Sequence, residues 1–264
     1  MTDNRIELMG AICGDIIGSA YEFSSTKRYK FQLFRPQSTF TDDTVMTIAV
    51  ADWLMNGGDL AEILRKWGLK YPFIGYGPMF FDWLTSSNPQ PYNSFGNGSA
   101  MRVSPVGWVA KNETEALELA KQTAEITHNH PEGIKGAQAV ALAIYLAKTG
   151  TSKDEIRRAI CRKFGYNLKR TCDEIRESYK FHATCQKSVP ESIICFLESE
   201  DYESAVRLAV SLGGDADTMA CIAGAIASAY YKTIPDKIAA PCLDKLPDEM
   251  YEIVMAFTNI HSVN

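Results

Sequence analysis

The chain has 264 residues, 46% of them apolar, and a formal net charge of −5. That is enough to bury a full core, so one domain over 1–264 is expected, and the acidic balance leaves no basic surplus for a nucleic-acid or anionic-membrane surface. The longest apolar runs, Ala139 to Ala147 and Met219 to Tyr231, are shorter than the roughly 18 residues a membrane span needs.

From the N-terminus, MTDNRIELMG shows no basic stretch leading into an apolar one with a cleavage site, so a cytoplasmic protein is expected. Gly10, Gly14 and Gly18 follow four apart, which on a helix places them on one face. A mid-helix glycine costs about 1 kcal/mol relative to alanine, so three in register point to close backbone approach. An N-terminal loop over the same residues is the alternative. Asp15 is expected to make structural hydrogen bonds from this segment. Glu22 closes it, as either a solvated carboxylate or a general acid or base. The stretch from Phe23 to Phe40 carries Lys27, Arg28, Lys30 and Arg35 among aromatics, and reads as a solvated connection or a covering loop. It leads into Thr41-Asp42-Asp43-Thr44, which opens an apolar helix that Gly57-Gly58 stops.

Further along, Ser94-Phe95-Gly96-Asn97-Gly98-Ser99-Ala100-Met101-Arg102 is a glycine-bearing loop running into a helix, where backbone amides can hold an anion or simply make a turn. It lacks the third glycine of a dinucleotide fingerprint. Helix starts of the capping-box kind are expected at Asn112-x-x-Glu115, Ser152-x-x-Glu155, Thr171-x-x-Glu174 and Ser188-x-x-Glu191, with Asp201 and Asp248 opening two more. Gly150, Gly165 and Gly213-Gly214 read as stops. Thr127-His128-Asn129-His130 falls between two of these helices, for local hydrogen bonding or ligand contact. Asp215-Ala216-Asp217-Thr218 opens the last long apolar stretch, in which Ala220, Gly224 and Ser228 again stand four apart. Both small-residue helices are expected at the centre of the fold. No alternating β-branched run competes, so the expected class is all-α. Seven cysteines without a CxxC pair, among them Cys13, Cys195 and Cys221 inside apolar helices, read as buried reduced thiols.

The two acidic motifs carry the chemistry. Asp and Thr cap helices well, so one such motif alone is explained about equally by capping. Capping needs one side chain per helix, whereas each motif supplies two carboxylates and a hydroxyl. Carboxylates gathered in a core repel one another and cost desolvation unless a cation neutralises them. Oxygen donors with no Cys or His beside them suit Mg2+ or Mn2+ over Zn2+.

Gly10-x-x-x-Gly14-Asp15-x-x-Gly18-x-x-x-Glu22, Thr41-Asp42-Asp43-Thr44, Gly96 to Arg102, Thr127-His128 and Gly213-Gly214-Asp215-Ala216-Asp217-Thr218 together resemble the ADP-ribosylglycohydrolase family, named also for dinitrogenase-reductase-activating glycohydrolase. The resemblance implies a compact multi-helix orthogonal bundle with a central dinuclear cleft holding two Mg2+ or Mn2+ ions. Thr41, Asp42, Asp43, Asp215, Asp217 and Thr218 would be the metal ligands, with Glu22 and Asp43 catalytic. Gly96, Asn97, Gly98, Ser99, Met101, His128 and Gly214 would contact substrate. Ala216 and Ala229 depart from the family's usual Thr and Gly without removing a ligand. The implied reaction is hydrolysis of a ribosyl C1″ bond, releasing ADP-ribose from a mono-ADP-ribosylated arginine or serine side chain, by a protein expected to be a monomer. The alternatives are a non-catalytic ADP-ribose binder and a hydrolase of a small ADP-ribose conjugate. An isoprenoid-type enzyme would need an acid where Met46 stands.

Overall fold

A computed structural model of the chain describes residues 7–261. In chain order its helices are α1 (Met9–Ser19), α2 (Asp42–Asn56), α3 (Leu60–Lys70), α4 (Pro78–Thr85), the single turn α5 (Gly98–Met101), α6 (Ser104–Val109), α7 (Glu113–Glu125) and α8 (Pro131–Lys148), then α9 (Lys153–Phe164), α10 (Cys172–Ser178), α11 (Cys185–Glu198), α12 (Tyr202–Ser211), α13 (Ala216–Tyr231), α14 (Asp236–Leu243) and α15 (Asp248–His261). The described residues contain no strand; the nearest thing to one is an isolated antiparallel bridge between Gly96 and Thr184. The chain is all-α.

The centre is α13, every residue of which from Ala216 to Ala229 is buried. A helix apolar on all sides has to be enclosed by others, and α1, α8, α11 and α12 enclose it. The tightest contact is with α1, where the two small-residue stripes meet antiparallel. A Cβ built at Gly14 would lie 2.1 Å from Ala220 O, one at Gly18 2.4 Å from Ala216 O, and one at Gly224 2.4 Å from Gly10 O. The backbones therefore touch, and the glycines are there because nothing larger fits. Tyr202 of α12 closes the end of this seam by donating its hydroxyl to Gly10 O at 2.8 Å.

Helix ends follow the capping chemistry in most places. Ser152 and Thr171 make complete capping boxes with Glu155 and Glu174, Asp201 caps α12, and Asn112 accepts from Glu115 N. Gly165 ends α9 in the left-handed region at φ 70°. The Ser188 start is corrected. Helix α11 begins at Cys185, and Ser188 sits inside it with its hydroxyl donating to Thr184 O at 2.8 Å. A serine one turn into a helix can satisfy itself on the carbonyl four residues back, so the Ser-x-x-Glu spacing carried no cap here.

Candidate functional site

Both acidic motifs sit at helix N-termini that meet at the α1–α13 seam. Thr41 is the N-cap of α2, in extended conformation. Its positioning comes from α1: buried Asp15 accepts from Thr41 N at 2.9 Å, Thr41 Oγ1 at 2.7 Å, Thr44 N at 3.1 Å and Thr44 Oγ1. Asp15 is thus a cap supplied across the fold, as its expected structural role required. Burial still pushes its carboxyl up to about 6, with those four donors pulling the other way. On the other side, Asp215 precedes α13 and accepts from Asn97 Nδ2 at 2.7 Å, while Asp217 accepts from Thr218 N at 2.9 Å. Thr218 Oγ1 reaches across to Asp43 Oδ2 at 3.2 Å, joining the two motifs.

Charge is what distinguishes this junction. Asp43 and Asp217 are pushed well above the carboxylate range by burial and by neighbouring acids, Asp15, Asp42 and Asp215 for the first, Asp215, Asp43 and Glu22 for the second. Asp42, the part-exposed member, is pushed up by burial, then by Asp15, Asp215 and Glu22. Glu22, half-buried where α1 gives way to the loop, is pushed up to about 7 by burial and the charge of Asp215. One oxygen each of Glu22, Asp215 and Asp217 lies within 4.8 Å of the others. Among the described residues no Lys or Arg forms an ion pair with these acids. Asp43 Oδ1 is buried with no hydrogen-bond partner at all. A buried, unpartnered carboxylate oxygen among like charges is the donor set a hard divalent cation satisfies. The residues present therefore fit the group that the sequence implies.

These acids floor a cleft of about 470 Å³. The rest of the lining includes Gly75, Tyr76, Met79 and Phe80 from the start of α4, Tyr92, Ser94, Gly96, Asn97, Gly98 and His128, and Met46, Met101, Arg102, Phe181 and Ala183. Gly75, at φ 112°, passes so close to Asp42 that a Cβ there would sit 3.2 Å from its Oδ1. The cleft lining includes Glu22, Asp42, Asp43, Gly96, Asn97, Gly98, Met101, His128, Asp215, Asp217 and Thr218 of the expected site. Three expected residues lie behind it. Thr41 turns its hydroxyl to Asp15, Ser99 is fully buried and donates to Gly133 O at 2.8 Å, and Gly214 packs under the Tyr179 ring.

The loop from Phe23 to Phe40 is neither free nor merely solvated. Lys27 Nζ donates to Tyr179 O and Leu212 O, Tyr21 Oη to Gln32 O, and Arg207 to Phe31 O, so it is tied down beside Glu22. Sequence reading missed Tyr76, Met79, Phe80, Tyr92 and Phe181, which no local motif marks. Arg102 stood inside the glycine-loop motif but received no role.

A sequence profile described as ADP-ribosylglycohydrolase matches residues 5–262. The chain is 27% identical to human ADP-ribosylhydrolase ARH3, over 85% of this chain and 84% of that protein. It is 25% identical to the ADP-ribosylarginine hydrolase Tri1 of Pseudomonas putida, over 85% and 69%. A solved structure titled ADP-ribosylglycohydrolase-related protein complex superposes with a TM-score of 0.71 at 23% identity, covering 99% of this chain and all of that one.

Proposed function

The chain belongs to the ADP-ribosylglycohydrolase family, and from that membership and the acid-floored cleft we propose that it is a metal-dependent hydrolase cutting the ribosyl C1″ bond of mono-ADP-ribosylated protein side chains. The observation that carries the metal dependence is Asp43 Oδ1, buried and unpartnered amid carboxylates contributed by both ends of the chain. Asp42, Asp43, Asp215, Asp217 and Thr218 would hold two divalent cations, Mg2+ or Mn2+, while Thr41, its hydroxyl committed to Asp15, braces them from behind. When bound, these supply charge that fixes ribose hydroxyls and acidifies a water.

The remaining work falls to the chain's own groups. Cleavage passes through an oxocarbenium-like state, so the reaction needs a proton moved at the anomeric end and the sugar held still. Glu22, a half-buried carboxyl at the edge of the acid cluster whose burial raises its proton affinity, exchanges a proton with the attacking water or the departing side chain. Asn97 fixes Asp215 by its hydrogen bond. The Gly96–Gly98 loop and His128 line the part of the cleft where the rest of the ADP-ribose would lie, and Tyr76 and Phe80 add aromatic lining to the same cleft. Names of relatives that include arginine hydrolysis support the side-chain linkage as substrate class.

The test is release of free ADP-ribose from defined arginine- and serine-linked peptides with Mg2+ or Mn2+ present. Release from at least one linkage, abolished by chelation, is expected. Folded, metal-loaded protein that releases nothing from either would overturn the reading.

A further inference from the structure

Arg102, Thr127 and His128 form a hydrogen-bonded chain running to the cleft lining, and of the three only His128 has so far been given a role, as lining. Arg102, the C-cap of α5, is 1% exposed and makes no ion pair among the described residues. Its Nη2 donates to Thr123 O and, at 2.9 Å, to Thr127 Oγ1. Thr127 Oγ1 in turn lies 2.7 Å from His128 Nδ1. The far side of the ring faces the glycine loop: Nε2 is 3.2 Å from where a Cβ of Gly98 would stand and 3.4 Å from that of Gly96.

We propose that Arg102 and Thr127 are positioning residues that hold His128 in its Nε2–H form, so that the imidazole presents a fixed hydrogen-bond donor to an anionic oxygen of the ligand over the Gly96–Gly98 loop. The ligand half of this rests on the ADP-ribose reading of the cleft.

The direction of each bond follows from what each group is able to do. A guanidinium only donates, so it occupies a lone pair of Thr127 Oγ1 and leaves the hydroxyl proton to find an acceptor. His128 Nδ1 is that acceptor. The reverse arrangement, with Nδ1–H donating, would give a buried hydroxyl two donors and leave its own proton to Tyr92, whose phenol also approaches Thr127. With Nδ1 accepting, the ring proton resides on Nε2, facing the cleft. Burial and the Arg102 charge both push the imidazole well below its ordinary value, so it stays neutral. A neutral ring with Nε2–H donates and does not accept there, which favours a strong acceptor such as a phosphate oxygen and rejects a group that only donates, such as an ammonium. The glycines matter to the same end, because any side chain at position 96 or 98 would crowd the nitrogen.

Long-range 1H–15N correlation of 15N-histidine-labelled full-length protein at pH 7, with His128 assigned by its absence in His128→Asn, reads the tautomer directly. The expected pattern is an Nε2–H imidazole in wild type and Tyr92→Phe, lost in Thr127→Val and regained in Thr127→Ser. Calorimetry with ADP-ribose is expected to give about tenfold weaker binding for Thr127→Val and recovery to within about twofold for Thr127→Ser. Mg2+ affinity should be unchanged in both. A wild-type His128 that is Nδ1–H or doubly protonated would overturn the proposal, as would a Thr127→Val protein with unaltered tautomer and affinity. An Nε2–H ring in a protein that does not bind ADP-ribose would support the tautomer assignment and refute the ligand reading on which its use depends.

Discussion

At the scale of single residues, the site is a conflict of like charges that the fold maintains by hydrogen bonds from a distance. Asp15 shows the cost. It is buried, and four donors from the start of α2 converge on it. Asp15→Ala leaves those donors unpaired in a dry interior, so a loss of about 3 kcal/mol or more is expected in urea unfolding, along with metal affinity, because Thr41 and Asp43 lose their anchor. Glu22 is a different case: half-buried and near 7, with little structural duty. Glu22→Gln should lower kcat about 100-fold or more, and remove one ionisation from the pH–rate profile, with melting temperature little changed. A Glu22→Gln enzyme with wild-type kcat would take this residue out of the mechanism. The acids were legible in the sequence because two short motifs each carried more carboxylates than a helix start needs. Asp15 as the cap of α2 was not, since donor and acceptor are 26 residues apart and only the α1–α2 packing brings them together.

Among elements, the α1–α13 seam positions both motifs, and its precision comes from the absence of side chains. Gly14→Ala places a methyl 2.1 Å from the Ala220 carbonyl, which cannot yield without moving α13 and with it Asp215 and Asp217. A loss of about 3 kcal/mol or more in chemical unfolding is expected, or an insoluble product; a Gly14→Ala protein as stable as wild type would contradict the packing. That seam was readable because a four-residue spacing maps onto one helix face, whatever the tertiary context. Most capping boxes were readable for the same reason: Ser152 and Thr171 act on residues three away. Ser188 failed because a hydroxyl has a second local option, the carbonyl four residues back, and only the upstream course of the chain decides between them. Of the cleft lining, the Gly96–Met101 loop and His128 were legible through the family resemblance, and the aromatic residues were not. Tyr76, Phe80, Tyr92 and Phe181 arrive from separate loops and helices, and their adjacency is a property of the packed molecule.

The whole molecule carries a cluster of like charges in its centre that the proposed cations would relieve, and this predicts how stability depends on pH. Asp15 and Glu22 have folded-state values raised to about 6 and about 7 from 3.8 and 4.5. Raised carboxyls favour the fold only while protonated, so without metal their contribution is full below about pH 4 and is lost as pH rises through 6 and 7. Cations compete with those protons for the same oxygens. Thermal melts should therefore show Mg2+ raising the melting temperature more at pH 8 than at pH 5.5; an equal or smaller gain at pH 8 would count against a carboxylate-held ion. The most direct measurement is anomalous diffraction from crystals grown with Mn2+. The account predicts manganese between the starts of α2 and α13, ligated from Asp42, Asp43, Asp215 and Asp217, with Asp43 Oδ1 in the coordination sphere. Crystals that show no manganese there, or show it bound elsewhere while these carboxylates stay unliganded, would contradict it.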